Sequence, residues 1–131
     1  MAKIDKQQLV KAAAKARKFA VAPYSKFRVG AALLTRGGEI VTGANVESAS
    51  YGLTCCAERV ALFKALTNGR KHFTAMAVVA RGWAMPCGAC RQLLAEYAPT
   101  ATVFVADSRS LNRLREFQAQ DLLPDAFMDF R

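Results

Sequence analysis

What the sequence lacks narrows the possibilities first. No apolar run approaches the roughly 20 residues a membrane-crossing helix needs. Lys3, Lys6, Lys11, Lys15 and Lys18 interrupt the first twenty residues, so neither a membrane span nor a secretory leader is expected, and the expected address is the cytoplasm. No stretch is rich in proline, serine or charge of one sign, and no unit repeats at solenoid spacing. The 131 residues therefore suit one domain, 1–131, around one core. Histidine occurs once, as His72, ahead of a strand and apart from other reactive groups. That leaves a Ser-His-Asp hydrolase poorly supported and marks His72 as a surface residue. Acidic side chains are scarce, ten against nineteen Lys and Arg, for a formal charge of +9. Such a surplus raises the question of an anionic partner. Yet Lys11, Lys15 and Lys18 share one helix face while Leu9, Ala13, Ala16 and Ala20 share another, the ordinary split between solvent and core. Nucleic acid is not expected as a partner.

What the sequence does contain reads as alternating α and β elements. Asp5 can cap a helix running to about Ala20, with Pro23 beyond it. Two β-branched apolar runs, joined by TRGGE, read as an antiparallel hairpin over Phe27 to Val46. A helix is expected from about Cys56 to Thr67, a buried strand over Phe73–Ala80, a helix over Gly88–Tyr97 and a buried strand over Thr102–Ala106. Strand, helix, strand implies a parallel pair with a right-handed crossover. LNRLREF fits helix or strand equally, and QAQDLL before Pro124 is at best a short terminal helix. The fold class expected is α/β, a three-layer α/β/α sandwich with a mixed central sheet.

Four cysteines in a chain expected in the cytoplasm read as thiols or metal ligands rather than disulfides. Cys87 and Cys90 in PCGACRQLLAEYA are spaced i, i+3, which puts both on one helix face about 5–6 Å apart. Cys-x-x-Cys also marks thioredoxin-like redox sites, but those need no third thiol. TCCAERVALFKAL opens another helix with Cys56, so three thiolates can converge at helix N-termini, where free amides and the dipole favour negative charge. Three protein ligands leave a tetrahedral zinc ion one open corner, the arrangement of catalytic sites. Glu58 then supplies the proton acceptor that an activated water requires. Residues two apart on a helix point nearly opposite ways, so Cys56 and Glu58 can share a metal only if Cys56 lies at the helix mouth. Three thiolates around Zn²⁺ leave a net negative site, and Arg59 and Arg91 are expected to withdraw charge by donating to the sulfurs. Cys55 is left over and reads as a small buried apolar side chain.

A ligand, any residue, glutamate, and later Pro-Cys-x-x-Cys is the known pattern of zinc deaminases, with three cysteines an accepted ligand set. Beyond that pattern, PYSKFRVGAAL (23–33), GANVESASYGLTCCAERVALFKAL (43–66), AVVA (77–80), PCGACRQLL (86–94) and DLLPDAF (121–127) resemble, in order, blocks of the small cytidine deaminases that act on free nucleosides and usually form homotetramers. The resemblance covers nearly the whole chain. It implies one zinc per subunit on Cys56, Cys87 and Cys90, with Glu58 as proton shuttle. It also implies that Asn45 and Glu47 hold the ribose hydroxyls, that Phe27 packs on the pyrimidine, and that Ala57 contacts the substrate. Ala49, Tyr51 and Phe127 match positions through which a neighbouring subunit completes the pocket. Without the family, Asn45 and Glu47 could be loop-capping groups and Phe27 a core residue.

Hydrolysis of cytidine and 2′-deoxycytidine in pyrimidine salvage is the activity expected. A blasticidin-type aminonucleoside deaminase or a polynucleotide cytosine deaminase would share the chemistry. A non-catalytic protein with a structural four-thiolate zinc site would need Cys55 as well. The loop RGWAMP is about two residues shorter than the family's, within the tolerance of loops, and its Trp83 is unexpected there.

Overall fold

The computed structural model describes residues 4–128. Helix α1 (Lys6–Ala16) starts where the Asp5 carboxylate accepts from the Gln8 amide at 3.0 Å, satisfying one of the first-turn donors. The expected continuation to Ala20 tightens instead into a 3₁₀ turn, Arg17–Phe19, before the chain extends. The hairpin follows as β1 (Val29–Thr35) and β2 (Ile40–Ala44), shorter at both ends than the sequence pattern suggested. Helix α2 is Ala57–Thr67, β3 is Phe73–Ala80, α3 is Gly88–Tyr97 and β4 is Thr102–Asp107.

The ambiguous segment LNRLREF is strand, part of β5 (Ser110–Gln118), antiparallel to β4. Its pairing explains the choice. Ala106 faces Leu114 and Val103 faces Phe117, so strand alternation sends Leu114 to one apolar layer and Phe117 to the other. The last expected helix is a short 3₁₀ turn, Ala119–Leu122.

The sheet order is β2-β1-β3-β4-β5, with only β3 and β4 parallel. The central strands are apolar on both faces because both are covered. Ala32, Ala77, Val79 and Phe104 pack under Leu9, Val10 and Ala13 of α1. Ala31, Leu33, Met76, Val78, Val103 and Val105 pack under α2 and α3 on the other side. The result is the expected α/β/α sandwich, with the N-termini of α2 and α3 on one face.

Two glycines decide how closely the helices approach, a role that the sequence reading passed over although glycine inside a strand run can mark close backbone approach. A Cβ at Gly30 would fall 1.9 Å from the Ala13 carbonyl oxygen of α1. A Cβ at Gly43 would fall 2.5 Å from the Ala61 nitrogen and 2.7 Å from the Ala57 oxygen, both backbone atoms of α2. Gly43 thus lets the first turns of α2, which carry Glu58, lie flat on β2. We expect Gly43→Ala to displace that helix, costing about 1–3 kcal/mol as overpacking does. The measurement is a urea unfolding midpoint, and an unchanged midpoint would mean that α2 does not bear on Gly43.

Candidate active site

The site is built at the mouths of two helices. Cys56 is the residue preceding α2, with extended backbone at φ −69° and ψ 153°, and Cys87 holds the same place before α3 at φ −70° and ψ 170°. Neither is yet helical, so the geometric objection to Cys56 and Glu58 sharing one site disappears: Cys56 points from outside the helix and Glu58 from its first turn. Cys90 lies one turn into α3 and is buried.

The Cys56 and Cys87 sulfurs are 3.6 Å apart, those of Cys87 and Cys90 are 3.5 Å apart, and all three lie within 4.8 Å of one another. Sulfurs at the corners of a tetrahedron with Zn–S of about 2.3 Å would be ~3.8 Å apart. The donor set and its spacing therefore fit one zinc ion. Among the described residues, the only group of this kind consists of these three cysteines. Cys55 stays out of it. Its backbone pairs with that of Val46, and burial pushes its thiol up from the ordinary value.

A hydrogen bond from Cys90, with Arg59 and Cys87 assisting against burial, brings the Cys56 thiol down to about 5. The same contact, together with burial, pushes Cys90 up. Arg59 contributes as expected, its Nη2 donating to the Cys56 sulfur at 3.5 Å and to the Thr54 carbonyl at 3.3 Å. Arg91 does not follow the expectation. Its Nε donates to the Pro86 carbonyl at 2.7 Å and its Nη1 to the Leu122 carbonyl at 3.1 Å, so it ties the approach to α3 and the C-terminal turn rather than reaching a sulfur. The physical reason is position: Arg91 follows Cys90 inside α3, and the nearby carbonyls meet its guanidinium first.

Glu58 is only 5% exposed, and burial is the main force pushing its carboxyl up to about 7, with the Cys56 charge adding and its own amide and Arg59 opposing. A cavity of about 220 Å³ opens beside it, lined by Phe27, Val29, Asn45, Thr54, Cys56, Ala57, Glu58, Ala84, Met85 and Cys87. Phe27 is 43% exposed and forms a wall of this cavity, so the core alternative for it does not hold.

Asn45 and Glu47 already have work within the fold. Asn45 accepts from the Val29 amide with Oδ1 and donates to the Phe27 carbonyl with Nδ2, both at 2.9 Å. Glu47 accepts from the amides of Tyr24 and Ser25 at 3.0 and 3.1 Å, and from the Ser25 hydroxyl. That hydroxyl is the chief reason its carboxyl lies below the usual value, with burial opposing and the two amides assisting. Ser25 also accepts from the Phe27 amide at 2.9 Å, so it links two predicted contact residues, and the sequence reading missed it. The only available signal was the run PYSKF itself. Losing both bonds of Asn45 should be costly: Asn45→Ala leaves a half-buried amide and a carbonyl unpaired, about 1–3 kcal/mol for an unsatisfied group. Chemical denaturation measures this, and a loss below a few tenths would exclude the bridging role.

Glu47, Tyr24, Ser25, Ser48, Tyr51 and Thr54 line an adjoining groove of about 270 Å³, which shares Thr54 with the first cavity. Tyr51 and Phe127 are 84% and 65% exposed, and Ala49, two residues before Tyr51, is exposed as well. Gln92 donates to the Phe127 carbonyl at 2.7 Å. His72 is exposed, as expected, and lies away from the cavity.

The family model described as the cytidine and deoxycytidylate deaminase zinc-binding region matches residues 3–106. A cytidine deaminase of Halalkalibacterium halodurans is 50% identical over 127 residues, covering 95% of each chain. One from Sporosarcina psychrophila is 44% identical over 127 residues, covering 95% of this chain and 92% of that one. Among solved structures, the crystal structure of cytidine deaminase from Burkholderia pseudomallei superposes with a TM-score of 0.90 at 49% identity, covering 95% of this chain and all of the other.

Proposed function

Since this chain belongs to the cytidine deaminase family, we propose that it hydrolyses cytidine and 2′-deoxycytidine to the uridine nucleosides and ammonia. It is a zinc enzyme, with one ion per chain. The observation that carries the reading is one cavity lined by a buried glutamate and by Cys56 and Cys87, two of the three clustered cysteines.

Cys56, Cys87 and Cys90 hold the zinc. When bound, the ion supplies the Lewis acidity that makes a water molecule a nucleophile at neutral pH. The chain's own contribution to the chemistry is Glu58. Its carboxylate takes a proton from the attacking water and delivers it to ring N3, and subsequent protonation lets the amino group leave C4 as ammonia. A carboxyl poised near neutrality by burial suits a group that must both accept and return a proton. Arg59 draws charge from the Cys56 sulfur.

Phe27 packs on the pyrimidine, with Ala57 beside it, and Asn45 and Glu47 receive the ribose. Hydrogen-bond accounting supports the last assignment. An amide offers two donors and two acceptor sites, and Asn45 uses one of each on the backbone. A carboxylate accepts at about four sites, and Glu47 uses three. Both keep capacity for a hydroxyl. A ribose held on its hydroxyls leaves little room for a continuing phosphate chain, which favours a free nucleoside over a polynucleotide, and the +9 charge then needs no nucleic-acid partner.

The assembly that fits this reading is a homotetramer in which Ala49, Tyr51 and Phe127 of a neighbour close each pocket. Phe19, Val21, Tyr24, Tyr51, Leu53 and Phe127 are large apolar side chains more than half exposed on the single chain, which supports burial against other copies. The whole chain acts as one domain in pyrimidine salvage in the cytoplasm, where its cysteines stay unbridged. No helix among the described residues is long and apolar enough to cross a membrane.

The test is loss of cytidine absorbance on adding purified protein, with zinc content measured on the same sample. Competition by blasticidin and by single-stranded DNA separates the substrate classes. Activity on cytidine that neither one suppresses is the expected result, and no turnover of cytidine would overturn the reading.

A further inference from the structure

Residues 81–86 connect β3 to α3, and their far end is part of the cavity: Ala84 and Met85 line it, and Cys87 follows at once. This short connection is fastened at its near end to the β4–β5 hairpin. Arg109 grips the Asp107 carboxylate at 2.7 and 3.0 Å, and the Gly82 amide lies close enough to act on the same carboxylate. The Ser108 amide donates to the Ala80 carbonyl at 2.8 Å. Gly82 itself turns the chain at φ +78°, a conformation that favours glycine.

The next residue attaches the connection to β5 through its side chain. The Trp83 indole Nε1 donates to the Arg113 carbonyl of β5 at 3.4 Å, and the Arg113 guanidinium lies over the indole ring at 5.5 Å from its centre. At the other end, Arg91 holds the Pro86 carbonyl at 2.7 Å. Between these two fastenings only Ala84 and Met85 remain, and both face the cavity. An apolar wall acts through many weak contacts that fall off within an ångström, so its placement decides how well it packs against a bound ring.

We propose that Trp83 is a positioning residue for substrate: by fastening the 81–86 connection to β5, it fixes Ala84 and Met85 as the wall against which the nucleoside packs. The proposal rests on the cavity being the nucleoside site. Trp83 touches no reacting group, so it acts on binding in the ground state and the transition state alike, which raises KM and leaves kcat nearly unchanged when it is lost.

The experiment compares the unmodified enzyme with Trp83→Ala, Trp83→Phe and Arg113→Ala, measuring kcat, KM for cytidine, inhibition by uridine and zinc per chain. For Trp83→Ala we expect KM and the uridine inhibition constant to rise together by about tenfold, with kcat within about threefold and zinc intact. Trp83→Phe keeps a ring beneath Arg113 but loses the indole N–H, so its KM should fall between those of the unmodified enzyme and Trp83→Ala. Arg113→Ala serves if Trp83→Ala does not fold. Trp83 is the sole tryptophan, so its emission shift reports release of the ring, and KM should rise with it. An unchanged KM in Trp83→Ala, or a released ring in Arg113→Ala without a change in KM, overturns the proposal. So does a joint fall of kcat and zinc content. An unmodified enzyme inactive on cytidine would instead overturn the function on which it rests.

Discussion

Glu58→Gln should lose turnover by about 10²–10⁴-fold, the range that a positioned general acid–base group contributes, while keeping its zinc and its fold. The variant is nearly isosteric, so the cavity keeps its shape. It removes the one property the proposed chemistry needs, a carboxyl that can hold a proton and release it again. Stability should not fall. Glu58 is 5% exposed and burial raises its carboxyl to about 7, so the fold disfavours the ionised form and a neutral amide relieves that penalty. The measurements are kcat, zinc per chain and the thermal midpoint on one preparation. Near-normal turnover at full zinc content would remove Glu58 from the chemistry. A loss of zinc together with turnover would mean that the side chain supports the metal instead.

Removing the zinc should abolish activity altogether, and Cys87→Ala should make that loss permanent. Chelation of the unmodified protein is expected to take turnover to background and added zinc to bring it back. In Cys87→Ala two sulfurs remain, and added zinc should not restore activity. Cys87 is the informative position because its sulfur lies close to both others, 3.6 Å from Cys56 and 3.5 Å from Cys90, and its side chain is exposed, so its removal leaves the core packing intact. Cys55→Ala is the control: its backbone pairs with Val46 and its sulfur is outside the cluster, so zinc and activity should persist. Four sulfurs around the metal by X-ray absorption, or zinc lost in Cys55→Ala, would instead favour a closed structural site.

These two results and the Trp83 variants probe different depths of one site. In the proposed chemistry Glu58 and the sulfurs act on bond making, where removal is expected to be close to all-or-none. Asn45, Ser25 and Glu47 hold the segment that carries Phe27, and Trp83 holds the connection that carries Ala84 and Met85. Their loss should weaken binding or stability by moderate factors, because each acts through the placement of a neighbour.

The deaminase pattern and most of the element order are written in short stretches of the sequence. Cysteine spacing, the glutamate two residues after Cys56 and the apolar periodicities are local properties, readable without knowing what packs on what. Phe73–Ala80 and Gly88–Tyr97 came out at their predicted bounds for that reason. Tertiary structure alone decided the rest. Residues 111–117 became strand because β4 offered an unpaired edge with apolar partners in register, a contact no local pattern encodes. Arg91 turned to carbonyls because the chain ending α3's approach and the C-terminal turn pass within its reach. Gly30 and Gly43 matter only once a helix lies across them. Trp83 found its partner thirty residues away on an edge strand. Chemistry is carried by side-chain identity at short spacing, whereas the shape of the cavity depends on distances between segments that meet only after the sheet has formed.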